Sequence, residues 1–254
     1  MGRAARQPEL AGARLRRVIV AVEGGAYRLV TQPDHAHLAG EILSLWRADG
    51  LAASPRRAEV IFAGREHDNG WREADAAPSC DGAGRPVDFV AMPRRRRIEI
   101  WERGTARFLE PRPYAALLIV HHARALHRGR RREADWRELL RRMASRERRL
   151  RRDLHADGRA LAADYRLLDL ADTISLAACA GWTGELTLAG MRGWVEDGGT
   201  VRLTPLPLAG ATTFRVACRR IPLRTYRGDA DLGGELAAAR WEELRIRLAA
   251  GEPA

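Results

Sequence analysis

The sequence predicts a mainly α-helical protein of α+β character: a helical core with a small antiparallel sheet made by an N-terminal hairpin and C-terminal strands. Three observations lead there. Between residues 31 and 180, apolar side chains recur at three- and four-residue spacing, the period of helices with a buried face. Glu23-Gly24-Gly25 separates two short apolar runs, which is a hairpin signal. After Gly181, Gly-rich segments alternate with strand-like runs, Thr200 to Thr204 and Thr213 to Ile221. On this reading residues 1–16 are a disordered start and residues 17–254 form one domain. Within it, 31–180 is the helical core, 17–30 and 200–222 supply the small sheet, and 231–248 is a C-terminal helix.

The elements follow in order. Arg17 to Val22 and Ala26 to Val30 are the hairpin strands. Pro33 and Asp34 mark the start of a helix running to about Trp46. His35 lies in its apolar stripe with Leu38 and Ile42, while His37 points roughly opposite. A second helix spans about Arg57 to Asp68, where Val60, Ile61 and Gly64 share a face with His67 and Asp68. The plain reading has His67 balancing the helix dipole and Asp68 capping the next segment, but it does not explain their common direction. Gly70 to Arg97 is punctuated by Pro and Gly and reads as a long loop, the kind that often covers a site. Trp71, Arg72 and Asp75 fit either a substrate wall or loop anchors.

Ile98 to Leu109 is the next amphipathic helix, ended by Pro111 and Pro113. Tyr114 to Leu126 is strongly apolar, with His121 and His122 inside it. Buried histidines need partners, since an unsatisfied polar group costs roughly 1–3 kcal/mol. Gly129 to Asp153 is a charged helix with a thin stripe of Leu139, Leu140, Met143 and Leu150. Ala160 to Cys179 is apolar on both sides and therefore buried. Asp172 sits in it between Leu168 and Leu176, and needs a cation or an arginine as partner.

Composition narrows the function classes. The formal charge is +11 and all of it comes from Arg, with no Lys in the chain. That bias reads as compositional and argues against a nucleic-acid partner, although a basic face can steer anionic substrates. Cys80, Cys179 and Cys218 match no disulfide framework and no zinc spacing, so a reducing compartment is expected. The Val18 to Val22 run is too short for a signal segment or a membrane span. A cytoplasmic protein with no membrane contact follows; the oligomeric state is open. There is no GxxxxGK[ST], HExxH or GxSxG motif.

Four helices thus direct ligand-type residues inward: His35, then His67 with Asp68, then His121 or His122, then Asp172. This order resembles that of the HD superfamily of metal-dependent phosphohydrolases. More closely, TQPDHA, EHDNGW with the following GRPVDF, PYAALL with a downstream His, and YRLLDLADTISL resemble a bacterial family of domains of unknown function. That likeness covers roughly residues 17–250. It implies His35, His67, Asp68, His122 and Asp172 as metal ligands, with His37 and His121 at variable positions. The superfamily likeness implies an HD-like helical core, a divalent Mn, Fe or Zn ion (one or two), and water activated to attack a phosphoester. Asp68 would bridge two ions, Arg72 would hold a phosphate oxygen, and Trp71 would line the substrate site. The substrate expected is a small phosphorylated molecule. The alternatives are a non-catalytic metal- or ligand-binding protein and an HD-type di-iron oxygenase.

Overall fold

The computed structural model describes residues 19–89 and 92–251. The disordered start expected over residues 1–16, and the first two residues of the hairpin, lie outside the described residues. Strands β1 (Ile19–Glu23) and β2 (Ala26–Val30) pair around Gly24-Gly25, with Ile19 opposite Val30 and Glu23 opposite Ala26.

Helix α1 (Gln32–Leu45) starts at Thr31, whose hydroxyl accepts the Asp34 amide at 3.1 Å. The Gln32 amide donates to Asp75 Oδ2 at 2.7 Å, so the first turn is capped from two directions. Helix α2 (Arg57–Glu66) crosses α1 where Gly40 and Gly64 let the two backbones approach closely. The short helix α3 (Arg72–Asp75) follows, then α4 (Arg94–Ala106), α5 (Pro113–His127), α6 (Ala134–Asp153) and α7 (Gly158–Ala180). Asp157 caps the start of α7 through the Ala160 amide at 2.8 Å. Gly181 ends it with φ 66°, its amide and that of Trp182 bonded back to Ala178 and Ala177.

The C-terminal part supplies β3 (Gly184–Leu188), β4 (Met191–Val195), β5 (Thr200–Thr204), β6 (Thr212–Pro222), helix α8 (Asp229–Ala238) and β7 (Trp241–Ala250). All seven strands join one sheet in the order β1-β2-β6-β7-β5-β4-β3. Every neighbouring pair is antiparallel except β5 with β7. The sheet curls into a half-barrel. Its concealed face packs on α7 and α1, with Val201, Leu203, Phe214, Val216, Ile246 and Leu248 in the same core as Leu38, Ile42, Leu168 and Ile174. Part of the other face is covered by α8, where Leu232 and Leu236 meet Tyr27, Leu29, Ile221 and Tyr226.

This architecture overturns the mainly helical, HD-like core with a small sheet. Helices account for about 52% of the structure, and the sheet is a seven-stranded mixed half-barrel rather than a minor appendage. Two stretches account for the difference. The Gly-rich run after Gly181 forms the hairpin β3–β4, which extends the sheet. The helix expected over 231–248 stops at Ala238, and the rest is β7. Leu244, Ile246 and Leu248 turn inward there while Glu243, Arg245 and Arg247 turn outward, a period of two. Smaller shifts concern the arginine-rich segments. Arg94 to Arg97 form the first turn of α4 rather than the end of a loop. Arg128 to Arg130 form a 3-10 turn ahead of α6. The long loop is shortened accordingly, and it is fastened to the start of α8 and the segment before it: Cys80 N donates to Asp229 Oδ1 and Tyr226 N to Gly84 O, each at 2.7 Å.

Candidate metal centre

Helices α1, α2, α5 and α7 pack around one buried polar cluster. His35 comes from the first turn of α1, His67 and Asp68 from the end of α2, His122 from the middle of α5, and Asp172 from the middle of α7. Ligand atoms of His35, His67 and Asp172 all lie within 4.8 Å of one another. Asp68 Oδ2 is 3.0 Å from His35 Nε2 and 3.9 Å from His67 Nε2. His122 Nε2 is 3.6 Å from Asp172 Oδ2. The His67 ring stands edge-on to both His35 and His122, with centroids 5.1 Å apart in each case.

Counting protons shows what the cluster lacks. The Ser175 hydroxyl donates to the Asp172 carbonyl at 3.0 Å, so at 3.1 Å it accepts from His35 Nδ1. His35 Nε2 lies at hydrogen-bond distance, 3.0 Å, from Asp68 Oδ2. His67 Nδ1 donates to the Gly64 carbonyl at 2.8 Å, which leaves Nε2 facing Asp172 Oδ1 at 3.2 Å with no hydrogen bond between them. Neither nitrogen of His122 has a hydrogen-bond partner among the described residues, although the side chain is only 1% exposed. Lone pairs facing carboxylates in a buried site require positive charge between them, either extra protons or a cation.

The electrostatics agree. Burial disfavours charge on His67, but Asp172 and Asp68 outweigh it and push the imidazole up to about 9. Burial alone would raise Asp172, yet the facing histidines, His67 first, hold it well below the usual carboxylate range. His122, with burial dominant, is pushed down to about 4 and stays neutral. Nitrogen and carboxylate donors in this mix fit Mn, Fe or Zn.

The other residues expected at the site are placed differently. Arg72 Nη2 donates to both Glu66 carboxylate oxygens at 2.7 Å, so its guanidinium is engaged there and forms no hydrogen bond to the cluster among the described residues. Trp71 is buried with Met92 and Ile100 and anchors the loop, and Asp75 caps α1. His121 Nδ1 binds Glu147 Oε1 at 3.0 Å, outside the cluster, which leaves His122 as the inward histidine of the pair. Asp68 makes no capping bond to the 3-10 turn after it, so the capping reading of that residue fails.

Sequence reasoning missed the groups that orient the candidate ligands. Ser175 was legible in principle, as a hydroxyl three residues after Asp172 in a helix apolar on both sides. The Gly64 carbonyl carries no side-chain signal. Asn69 was also missed; its Nδ2 donates to Glu66 O at 2.7 Å and Gly104 O at 3.1 Å, tying the turn after Asp68 to α4. At the edge of the cluster Tyr165 packs edge-on against His121 at 4.5 Å and lies 6.1 Å from His122. Its hydroxyl donates to Asp169 Oδ1 at 3.2 Å. Burial pushes this phenol up, and the charge of Arg128 partly offsets the rise.

Fold and site together define an α+β protein with a buried two-carboxylate, three-histidine donor set between its helices. By sequence the chain belongs to DUF3891, a protein family of unknown function, which matches residues 18–223. No curated protein and no solved structure matches it. No helix among the described residues is long and apolar enough to cross a membrane.

Proposed function

We propose that this protein is a metal-dependent phosphohydrolase acting on a small phosphorylated molecule. The observation that carries the reading is the convergence of three histidines and two carboxylates in one buried cluster, where His67 Nε2 and both nitrogens of His122 have no hydrogen-bond partner among the described residues. The order of these residues along the chain, His, His-Asp, His, Asp, is also that of HD-type phosphohydrolases, and it supports the reading as an order of ligands, independently of fold.

His35, His67, Asp68, His122 and Asp172 would hold one or two Mn, Fe or Zn ions, with Asp68 as the bridging carboxylate if there are two. Bound there, such an ion supplies Lewis-acid activation of water and of a phosphoryl oxygen. The chain's own residues do the rest. The Gly64 carbonyl and the Ser175 hydroxyl fix the tautomers that turn Nε2 of His67 and His35 inward. Asp68 and Asp172 supply the negative charge that a dication neutralises, and the packed helices keep bulk water out.

Elemental analysis of the purified protein beside Asp68→Ala, with a screen of phosphomonoesters, phosphodiesters and nucleotides, tests the proposal. The expected result is a stoichiometric transition metal and metal-dependent hydrolysis in the wild type, with both lost in the variant. No metal in either protein after reconstitution would overturn it. A second reading, a metal-stabilised protein without catalysis, is favoured by one observation: Asp68 and Asp172 are only 8% and 9% exposed, and structural sites are closed. Bound metal with no hydrolysis across the screen would select it.

A further inference from the structure

Across strands β2, β6 and β7, Leu29, Arg219 and Trp241 stand side by side in register, on the sheet face that α8 partly covers. All three line a cleft of about 220 Å3. Leu236 and Ala237 of α8 line it as well, with Pro78 from the loop after α3. The cleft reaches Thr31 and Asp75, which cap the first turn of α1.

Two of its side chains are left without the partners their kind usually finds. Trp241 keeps 57% of its surface exposed. Arg219 is half-buried over that indole, with its guanidinium carbon 3.9 Å from the ring centroid. Its Nη1 donates to the Leu236 carbonyl at 2.9 Å, whereas Nε is buried with no hydrogen-bond partner among the described residues. Its neighbours on β6 fare differently: Arg215 pairs with Glu243 and Arg220 with Glu242, both on β7. Opposite Arg219 the register places Trp241 instead of an acid. Its contacts among the described residues are thus one carbonyl and one indole face, with no carboxylate within ion-pair distance. Asp75, the one acid lining the cleft, accepts the Gln32 amide at the positive end of α1.

A guanidinium has five donors, and one taken partly out of water with a single carbonyl partner lacks acceptors. Apolar walls around one or two placed polar groups are the usual make-up of a small-molecule site. We propose that this cleft binds a small apolar carboxylate, one charged group on a ring-sized hydrocarbon body. The carboxylate meets the guanidinium of Arg219, which the stack on Trp241 holds in place. The hydrocarbon packs against Leu29, Leu236 and Trp241. The volume, below the roughly 300–1,000 Å3 of sites for drug-sized ligands, sets the size of that body. The proposal goes beyond the phosphohydrolase reading and does not depend on it, since the ligand-bearing helices α1 and α7 pack on the opposite face of the sheet.

Nuclear magnetic resonance titration of the full chain as purified tests it with phenylacetate and with phenylacetamide, which has the same shape without the charge. The probe signal is the Trp241 indole N–H, assigned by its absence in Trp241→Phe. Phenylacetate should shift that signal saturably and bind at least about tenfold more tightly than the amide. Arg219→Gln should remove the preference for the acid. Arg215→Gln, an equal loss of charge on the same strand, should keep it. No saturable shift with phenylacetate, equal affinity for the two probes in wild type, or an equal loss in Arg215→Gln would overturn the site. The acid–amide comparison in wild type decides the matter even if Arg219→Gln does not fold.

Discussion

With its Nδ1 proton committed to the Gly64 carbonyl, His67 can turn only Nε2 toward Asp172, and the charges of Asp172 and Asp68 push the imidazole up to about 9 against the effect of burial. A metal bound as proposed would compete with a proton at that nitrogen. Metal affinity should therefore rise with pH between about 6 and 9, by about one logarithmic unit per pH unit, and binding at pH 7 should release about one proton. Titrations in two buffers of different ionisation enthalpy measure the release; none would remove His67 from the proposed ligand set. His67→Ala and Asp172→Ala should each abolish tight metal binding by elemental analysis. His37→Ala, on the exposed side of α1, should not. At this scale the sequence was informative because each candidate ligand sits within an apolar stripe, where a polar side chain needs a reason. Nothing comparable marked Arg72, whose neighbour Glu66 was an equally available partner.

At the scale of elements, the site depends on how closely α1 and α2 approach. A Cβ added at Gly40 would lie 2.8 Å from Arg65 Cβ and 3.1 Å from Arg65 Cα, atoms that move only with the backbone of α2. In an isolated helix Gly→Ala gains about 1 kcal/mol. Here overpacking of about 1–3 kcal/mol should outweigh that gain. Gly40→Ala should lower the melting temperature and weaken metal binding together, because His35 rides on α1 and His67 on α2. A raised melting temperature with unchanged metal affinity would show that the helices yield without disturbing the site. Helices α1, α2, α5 and α7 were legible from periodicity because each has a definite buried face. Strand β7 was not: Ala, Leu, Glu and Arg are helix-forming residues, and the pattern of α8 runs into it without a break. Its alternation of Leu244, Ile246 and Leu248 is decided by partners distant in sequence, Phe214 and Val216 on one side and Val201 on the other.

For the molecule as a whole, β7 is the hinge of the architecture. It is the central strand, and β1-β2-β6 on one side and β5-β4-β3 on the other meet only through it. A chain ending after Tyr226 keeps every candidate ligand and all of the family's matched span, yet it lacks the strand that joins the two halves. Such a truncation should lose cooperative thermal unfolding by circular dichroism; a melt like that of the full chain would mean that β5 and β6 can pair directly. Strand order of this kind has no local signature, since the pairing of β5 with β7 links residues more than forty positions apart, so the sheet could be anticipated only as a set of strands. The late position of β7 also has a consequence during synthesis. The ribosome delivers six strands before the one that unites them, and their inner edges stay bare until residues 241–250 emerge. For that interval the nascent chain carries two unfinished sheets, and the edges of β5 and β6 that β7 will later cover are open to pairing with another chain.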